Sequence, residues 1–95
     1  MKLELNGKSY NIPEMDFNMI CEIELRGGSL MNIESQPFPT IRAIIASIIG
    51  TDVQTAGKEL GEHVMKGGDM GEVMSTISKA LENSGFFQAL ADPKK

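Results

Sequence analysis

The amino-acid sequence predicts an α+β fold: an N-terminal β-hairpin followed by about four short α-helices in one small domain. Three observations lead there. Lys2-Leu3-Glu4-Leu5 alternates polar and apolar residues and Lys8 to Ile12 does so less cleanly, around Asn6-Gly7, the residue pair favoured in a type I′ turn. Further on, the apolar spacing changes from two to the helical three and four, most clearly at Ile41, Ile44, Ile45, Ile48 and Ile49. Glycine pairs at 27–28 and 67–68 then mark where helices stop. A chain of 95 residues with 41% hydrophobic content supports one core, so residues 1–90 read as a single domain and 91–95 as a flexible polar tail.

The elements follow in order. A two-residue Asn6-Gly7 loop pairs Leu5 with Lys8 and Leu3 with Tyr10, so Leu3, Leu5, Tyr10 and Ile12 share an apolar face. Glu4, Ser9 and Asn11 take the wet face. Asp16 is positioned to cap a first helix from Phe17 to Arg26, with Phe17, Ile20, Cys21 and Glu24 along one line and Ile23 and Leu25 beside it. The stretch from Ser29 to Pro39 reads as a loop in which Leu30, Met31 and Ile33 have the spacing for a turn of helix. Pro37-Phe38-Pro39 then forces an extended approach to the next helix. That helix is the packing centre. Its five isoleucines form one stripe, with Arg42, Ala43, Ala46 and Ser47 around the rest, and full burial would contribute on the order of 10 kcal/mol before chain entropy is subtracted.

After Gly50, Thr51 and Gln54 have capping-box spacing and open a third helix reaching about Lys66, with Val53, Ala56, Gly57, Leu60 and Val64 on one face. Glu62 and Lys66 are spaced for a helical ion pair. Gly57 and Gly61 each cost about 1 kcal/mol inside a helix, which calls for a close neighbour, either the isoleucine helix or another subunit. Asp69 caps a fourth helix bearing Met70, Val73, Met74, Ile77 and Leu81, and Asn83-Ser84-Gly85 stops it. Phe86, Phe87 and Leu90 follow, as a docking segment or an exposed patch.

Chemistry-bearing residues are sparse. Cys21 and His63 are the only thiol and imidazole; Cys21 lies among apolar positions and His63 near a helix C-terminus, so we expect no catalytic pair, no metal site and no cofactor. With 9 basic against 13 acidic residues and a net charge of -4, the field repels phosphate and nucleic acid is not an expected partner. The lone cysteine fits a reducing compartment. The Met1 to Gly7 stretch lacks a signal-peptide apolar run, and no helix has the length to cross a bilayer, so membrane association is not expected. Seven methionines supply adaptable apolar surface, although Met70 and Met74 share a stripe with Ile77 and Leu81 and suit a core as well as a groove.

The opening Met1-Lys2-Leu3-Glu4-Leu5-Asn6-Gly7-Lys8-Ser9-Tyr10-Asn11-Ile12, followed by Met15 to Glu24, resembles the start of tail assembly chaperones from long-tailed bacteriophages. The order of elements, a hairpin, then an aromatic-led helix, then several short helices, resembles that family too. The resemblance implies a non-enzymatic protein in the host cell cytoplasm that binds the tape measure protein and keeps it soluble while the tail tube assembles. It also implies contact with the tail tube protein and, in many members, a longer frameshifted form. Self-association follows from the hairpin's open edges. The residues we assign to partner binding are Met70, Met74, Phe86, Phe87 and Leu90. The alternative is a cytoplasmic adaptor or antitoxin-like regulator with one compact partner.

Overall fold

The computed structural model describes residues 1–30 and 33–91, without the side chains of Leu90 and Ala91. Strands β1 (Lys2–Leu5) and β2 (Lys8–Asn11) form the expected antiparallel hairpin, with Leu5 opposite Lys8 and Leu3 opposite Tyr10. Asn6 and Gly7 have φ of 52° and 79°, the left-handed geometry that a type I′ turn demands at both positions. Leu3 and Leu5 are buried, Tyr10 and Ile12 pack half-buried against the core, and Glu4, Ser9 and Asn11 face outward. This fold matches the expected class: a hairpin, then short helices around one core.

Helix α1 (Phe17–Leu25) starts at Asp16, whose Oδ1 accepts the Met19 N–H at 2.9 Å. It ends with the Gly28 N–H donating to the Ile23 carbonyl at 3.0 Å. The line from Phe17 to Glu24 is not the inward face. Met19 and Ile23 are buried, with Met15 ahead of them, whereas Phe17, Cys21 and Leu25 are exposed. Met15, Met19 and Ile23 are themselves spaced i, i+4, i+8, so α1 is apolar on two sides and periodicity alone does not choose between them. Packing chooses. A Cβ on Gly28 would lie 2.9 Å from the Ala43 Cβ and 3.1 Å from the Thr40 Cα, so the end of α1 sits almost in backbone contact with the next helix. The Ser29 N–H, donating to Thr40 Oγ1 at 3.0 Å, holds the same junction. The expected turn at Met31 lies outside the described residues.

Helix α2 (Pro37–Ile49) begins earlier than expected, because Pro37 and Pro39 are part of its first turn instead of an extended approach. Backbone N–H groups there lack intrahelical acceptors in any case, so two prolines remove nothing that the helix uses. The Thr40 N–H, donating to the Gln36 carbonyl, opens the regular ladder. Ile41, Ile44 and Ile45 are buried, and Ile48 and Ile49 are half-buried. Ala43 and Ala46 are buried as well, widening the core face beyond the isoleucine stripe. Their small side chains allow α1 to come close.

Helix α3 (Val53–Met65) is capped by Asp52, and not through a Thr51-Gln54 box. The Asp52 carboxylate accepts the Thr55 N–H at 2.7 Å and the Thr55 hydroxyl at 3.0 Å, two bonds to one ionised acceptor. Ala56 is buried and Val53, Gly57 and Leu60 are half-buried, but Val64 is exposed. Gly57 has its close neighbour in α2: an added Cβ would meet Arg42 Cδ at 3.1 Å. Gly61 has none, with no atom within 4 Å of that position. Helix α4 (Met70–Glu82) is capped by Asp69 as expected and buries Val73, Ile77 and Ala80, packing on β1.

Asn83 to Gly85 does not end the ordered chain. The stretch turns into helix α5 (Gly85–Ala91), so Ala91 closes a helix instead of opening a tail, and residues 92–95 lie outside the described part. Ser84 makes the turn. Its buried hydroxyl donates to the Met15 carbonyl at 2.5 Å and the Ser84 carbonyl accepts the Gln88 N–H at 3.0 Å, tying α5 to the segment before α1. No helix of the described residues is long and apolar enough to cross a membrane.

Four outcomes follow from this packing and capping. Urea unfolding of Ile44→Ala should show a loss of about 2–5 kcal/mol, the usual cost of a cavity at a fully buried site. Gly28→Ala should destabilise by about 1–3 kcal/mol through overpacking, while Gly61→Ala, with open space and helical backbone, should stabilise by about 0.5–1 kcal/mol. The Asp52 carboxyl lies below its ordinary value of 3.8, chiefly because the Thr55 N–H and then the Thr55 hydroxyl bond its ionised form. Its contribution is therefore complete above that value and is lost as pH falls through the lowered folded pKa, so Asp52→Asn should flatten the acid limb of a stability–pH curve.

Candidate functional site

Two surface regions have a definite construction. The first is polar and sits where the hairpin turn meets α3. His63 Nδ1 accepts the Asn6 N–H at 2.9 Å, so that nitrogen carries no proton in this arrangement. The Asn6 amide donates to Glu59 at 2.7 Å and to Glu62 at 3.4 Å, while its carbonyl oxygen accepts from Lys66 Nζ at 3.3 Å. Glu62 and Lys66, expected to pair with each other along the helix, instead meet through Asn6. His63, half-buried in the last turn of α3 as expected, is thus also a strut for the hairpin turn. Cys21 is on the outer side of α1, exposed, contrary to the expectation of a small buried hydrophobe. The structure does not bring the thiol to this imidazole nitrogen, which Asn6 already occupies. Among the described residues no group of three or more His, Cys, Asp or Glu side chains is arranged to hold a metal ion.

The second region is apolar. Phe17 is 61% exposed, Leu25 87%, Phe38 69% and Met65 89%, large side chains left uncovered on three different helices. Phe86 continues this surface from α5: its ring centroid lies 5.7 Å from that of Phe17 and 5.9 Å from that of Phe87. A shallow cleft of about 350 Å³ opens beside Phe87, lined also by Leu81, Glu82 and Gln88. A second, of about 250 Å³, lies between α2 and α3, lined by Phe38, Pro39, Arg42, Gly57 and Leu60.

The five residues assigned from sequence to partner binding are divided by the fold. Phe86 and Phe87 come together with Phe17, although Phe87 also packs on the core. Met70 is half-buried against the core, which is the core-filling role open to it from the start. Met74 is 40% exposed on α4, about 10 Å along the helix from Leu81 beside the Phe87 cleft. The Leu90 side chain lies outside the described residues. Sequence reasoning missed Phe17, Leu25, Phe38 and Met65. For Phe17 and Leu25 a signal existed, since they and Cys21 form a second i, i+4, i+8 line opposite Met15, Met19 and Ile23. Nothing in the sequence told which line faced out.

Comparisons with protein-family models, curated proteins and solved structures find no match.

The turn clasp is open to a direct check. Asn6→Gly keeps the left-handed turn but loses the side-chain bonds, at a cost of about 0.5–1.5 kcal/mol; Asn6→Ala should cost about 1 kcal/mol more because its Cβ opposes the positive φ. Urea unfolding of the two variants side by side reads that difference.

Proposed function

We propose that this protein is a non-enzymatic tail assembly chaperone that binds the tape measure protein of a long-tailed phage and keeps it soluble in the host cell cytoplasm while the tube is built. The observation that carries this reading is the uncovered apolar surface: Phe17, Leu25, Phe38 and Met65 are mostly exposed in a domain whose core is already closed by Ile23, Ile44 and Ile45. Large apolar side chains left in water, among them Phe17 with Phe86 against it, give a small domain surface suited to other proteins. The resemblance of the N-terminal hairpin and first helix to the chaperone family supplies the identity of the partner, and the negative net charge argues against nucleic acid.

The mechanism is binding without chemistry. Apolar helical stripes on the tape measure chain are covered by apolar chaperone surface until tail tube protein replaces it. Weak contact at each segment, multiplied over many copies along one long chain, gives strong retention that remains displaceable. The two-stranded hairpin leaves backbone edges through which copies can associate along that chain.

Co-expression with the tape measure protein from the same genome tests the proposal. The expected outcome is a soluble complex with many chaperone copies per tape measure chain, read by mass analysis. A fixed small ratio with a compact protein would instead favour the adaptor or antitoxin-like reading. A tape measure protein that stays insoluble while this chain elutes alone would overturn the proposal.

A further inference from the structure

Helix α1 carries apolar residues on two opposite sides, and one side faces directly away from the core. With 100° between successive residues, Met19 and Ile23 point inward and Phe17, Cys21 and Leu25 lie in line outward. Leu25 is 87% exposed and Phe17 61%, and Cys21 between them is exposed as well. The ring of Phe86 rests against Phe17 and extends the face onto α5. The strip is about 12 Å long, the rise of eight helical residues.

We propose that this face of α1 docks an amphipathic helix of a partner protein whose apolar stripe is flanked by lysine or arginine. The inference rests on the protein-binding reading above and names the surface and chemistry that such binding would use. Charge selects the partner. On the helical wheel Glu24 borders the strip on one side and Glu22 on the other, and Glu14 and Asp16 precede the first turn. The cation nearest in sequence, Arg26, has its guanidinium 3.7 Å from Glu22 and offsets that carboxylate, so the acidic character of the border rests on Glu24, Glu14 and Asp16. A second copy of this chain would set these carboxylates against one another, whereas a basic-flanked helix would pair with Glu24 and with the carboxylates ahead of the first turn while its apolar stripe covers Phe17, Cys21 and Leu25. Cys21 lies mid-strip and is the only cysteine in the sequence, so its thiol reports whether the strip is covered.

The test uses the full chain and two synthetic helical peptides of about 18 residues, five turns, with the same leucine stripe. One peptide has lysine flanks and the other glutamate flanks. Cys21 alkylation by iodoacetamide is followed by mass. The lysine peptide, present at about ten times its Kd, should slow alkylation about tenfold, because about one strip in ten remains free. The glutamate peptide should leave the rate unchanged. A Glu22→Lys, Glu24→Lys double variant should exchange the two preferences, and Leu25→Ala, at an exposed site that does not support the fold, should weaken protection.

Equal protection by both peptides, or by neither, would overturn the proposal. So would a Cys21–Cys21 disulfide dimer forming readily without peptide under mild oxidation, which would give the face to a second copy. The outcomes also separate this inference from the chaperone reading. A solubilised tape measure protein with Cys21 still fully reactive would sink the α1 face alone, and peptide protection without solubilisation would sink the chaperone reading alone.

Discussion

Covering Ile41, Ile44 and Ile45 is the requirement that places α1, α3 and the hairpin around α2, and α4 and α5 follow through β1 and α4. Helix α2 is enclosed by α1, α3 and the hairpin, and it is buried across a face wide enough to include Ala43 and Ala46. Such enclosure is possible because the covering elements present small groups at the contact: Gly28 meets Ala43 and the Thr40 backbone, and Gly57 lies against the Arg42 stem. Close-packed interiors tolerate little change of volume, so these few positions set the distances of α1 and α3 from the centre.

Polar groups then orient what the core attracts. Asp16, Asp52 and Asp69 each satisfy an N–H at the start of a helix, and Ser84 joins α5 to the chain ahead of α1. Asn6 does more than form a turn, because its backbone and side chain together engage Glu59, Glu62, His63 and Lys66. The hairpin is thereby held at its tip by α3 and along β1 by α4. An isolated two-stranded ribbon has little stability of its own, and here both supports come from helices.

The core is closed without Phe17, Leu25, Phe38 or Met65, and those side chains remain mostly exposed. Most of their apolar area is in water in the isolated domain, and association would release it. In the proposed docking on α1, apolar contact supplies affinity, and Glu24 with the carboxylates ahead of the helix restricts which helices can approach. Under the proposed chaperone role this division is an advantage, because modest contacts repeated along a chain separate one at a time.

Much of this architecture was legible in the sequence because it is encoded over short distances. Asn6-Gly7 determines the hairpin register, Asp16 and Asp69 identify helix starts, and the isoleucine spacing identifies the central helix, each through interactions spanning a few residues. The two prolines of α2 and the Asp52 cap were local as well, but competed with equally local alternatives. The candidate site was less legible. Phe86 and Phe87 stood out by position, yet Phe17 and Leu25 could be recognised as surface only once α1 had chosen its inward side. Tertiary structure made that choice, through the approach of Gly28 to α2, just as it turned His63 into a support for Asn6 across 57 residues of sequence. A helix with two apolar lines has two nearly equivalent orientations in isolation, and only the volume available beside Ala43 and Thr40 distinguishes them.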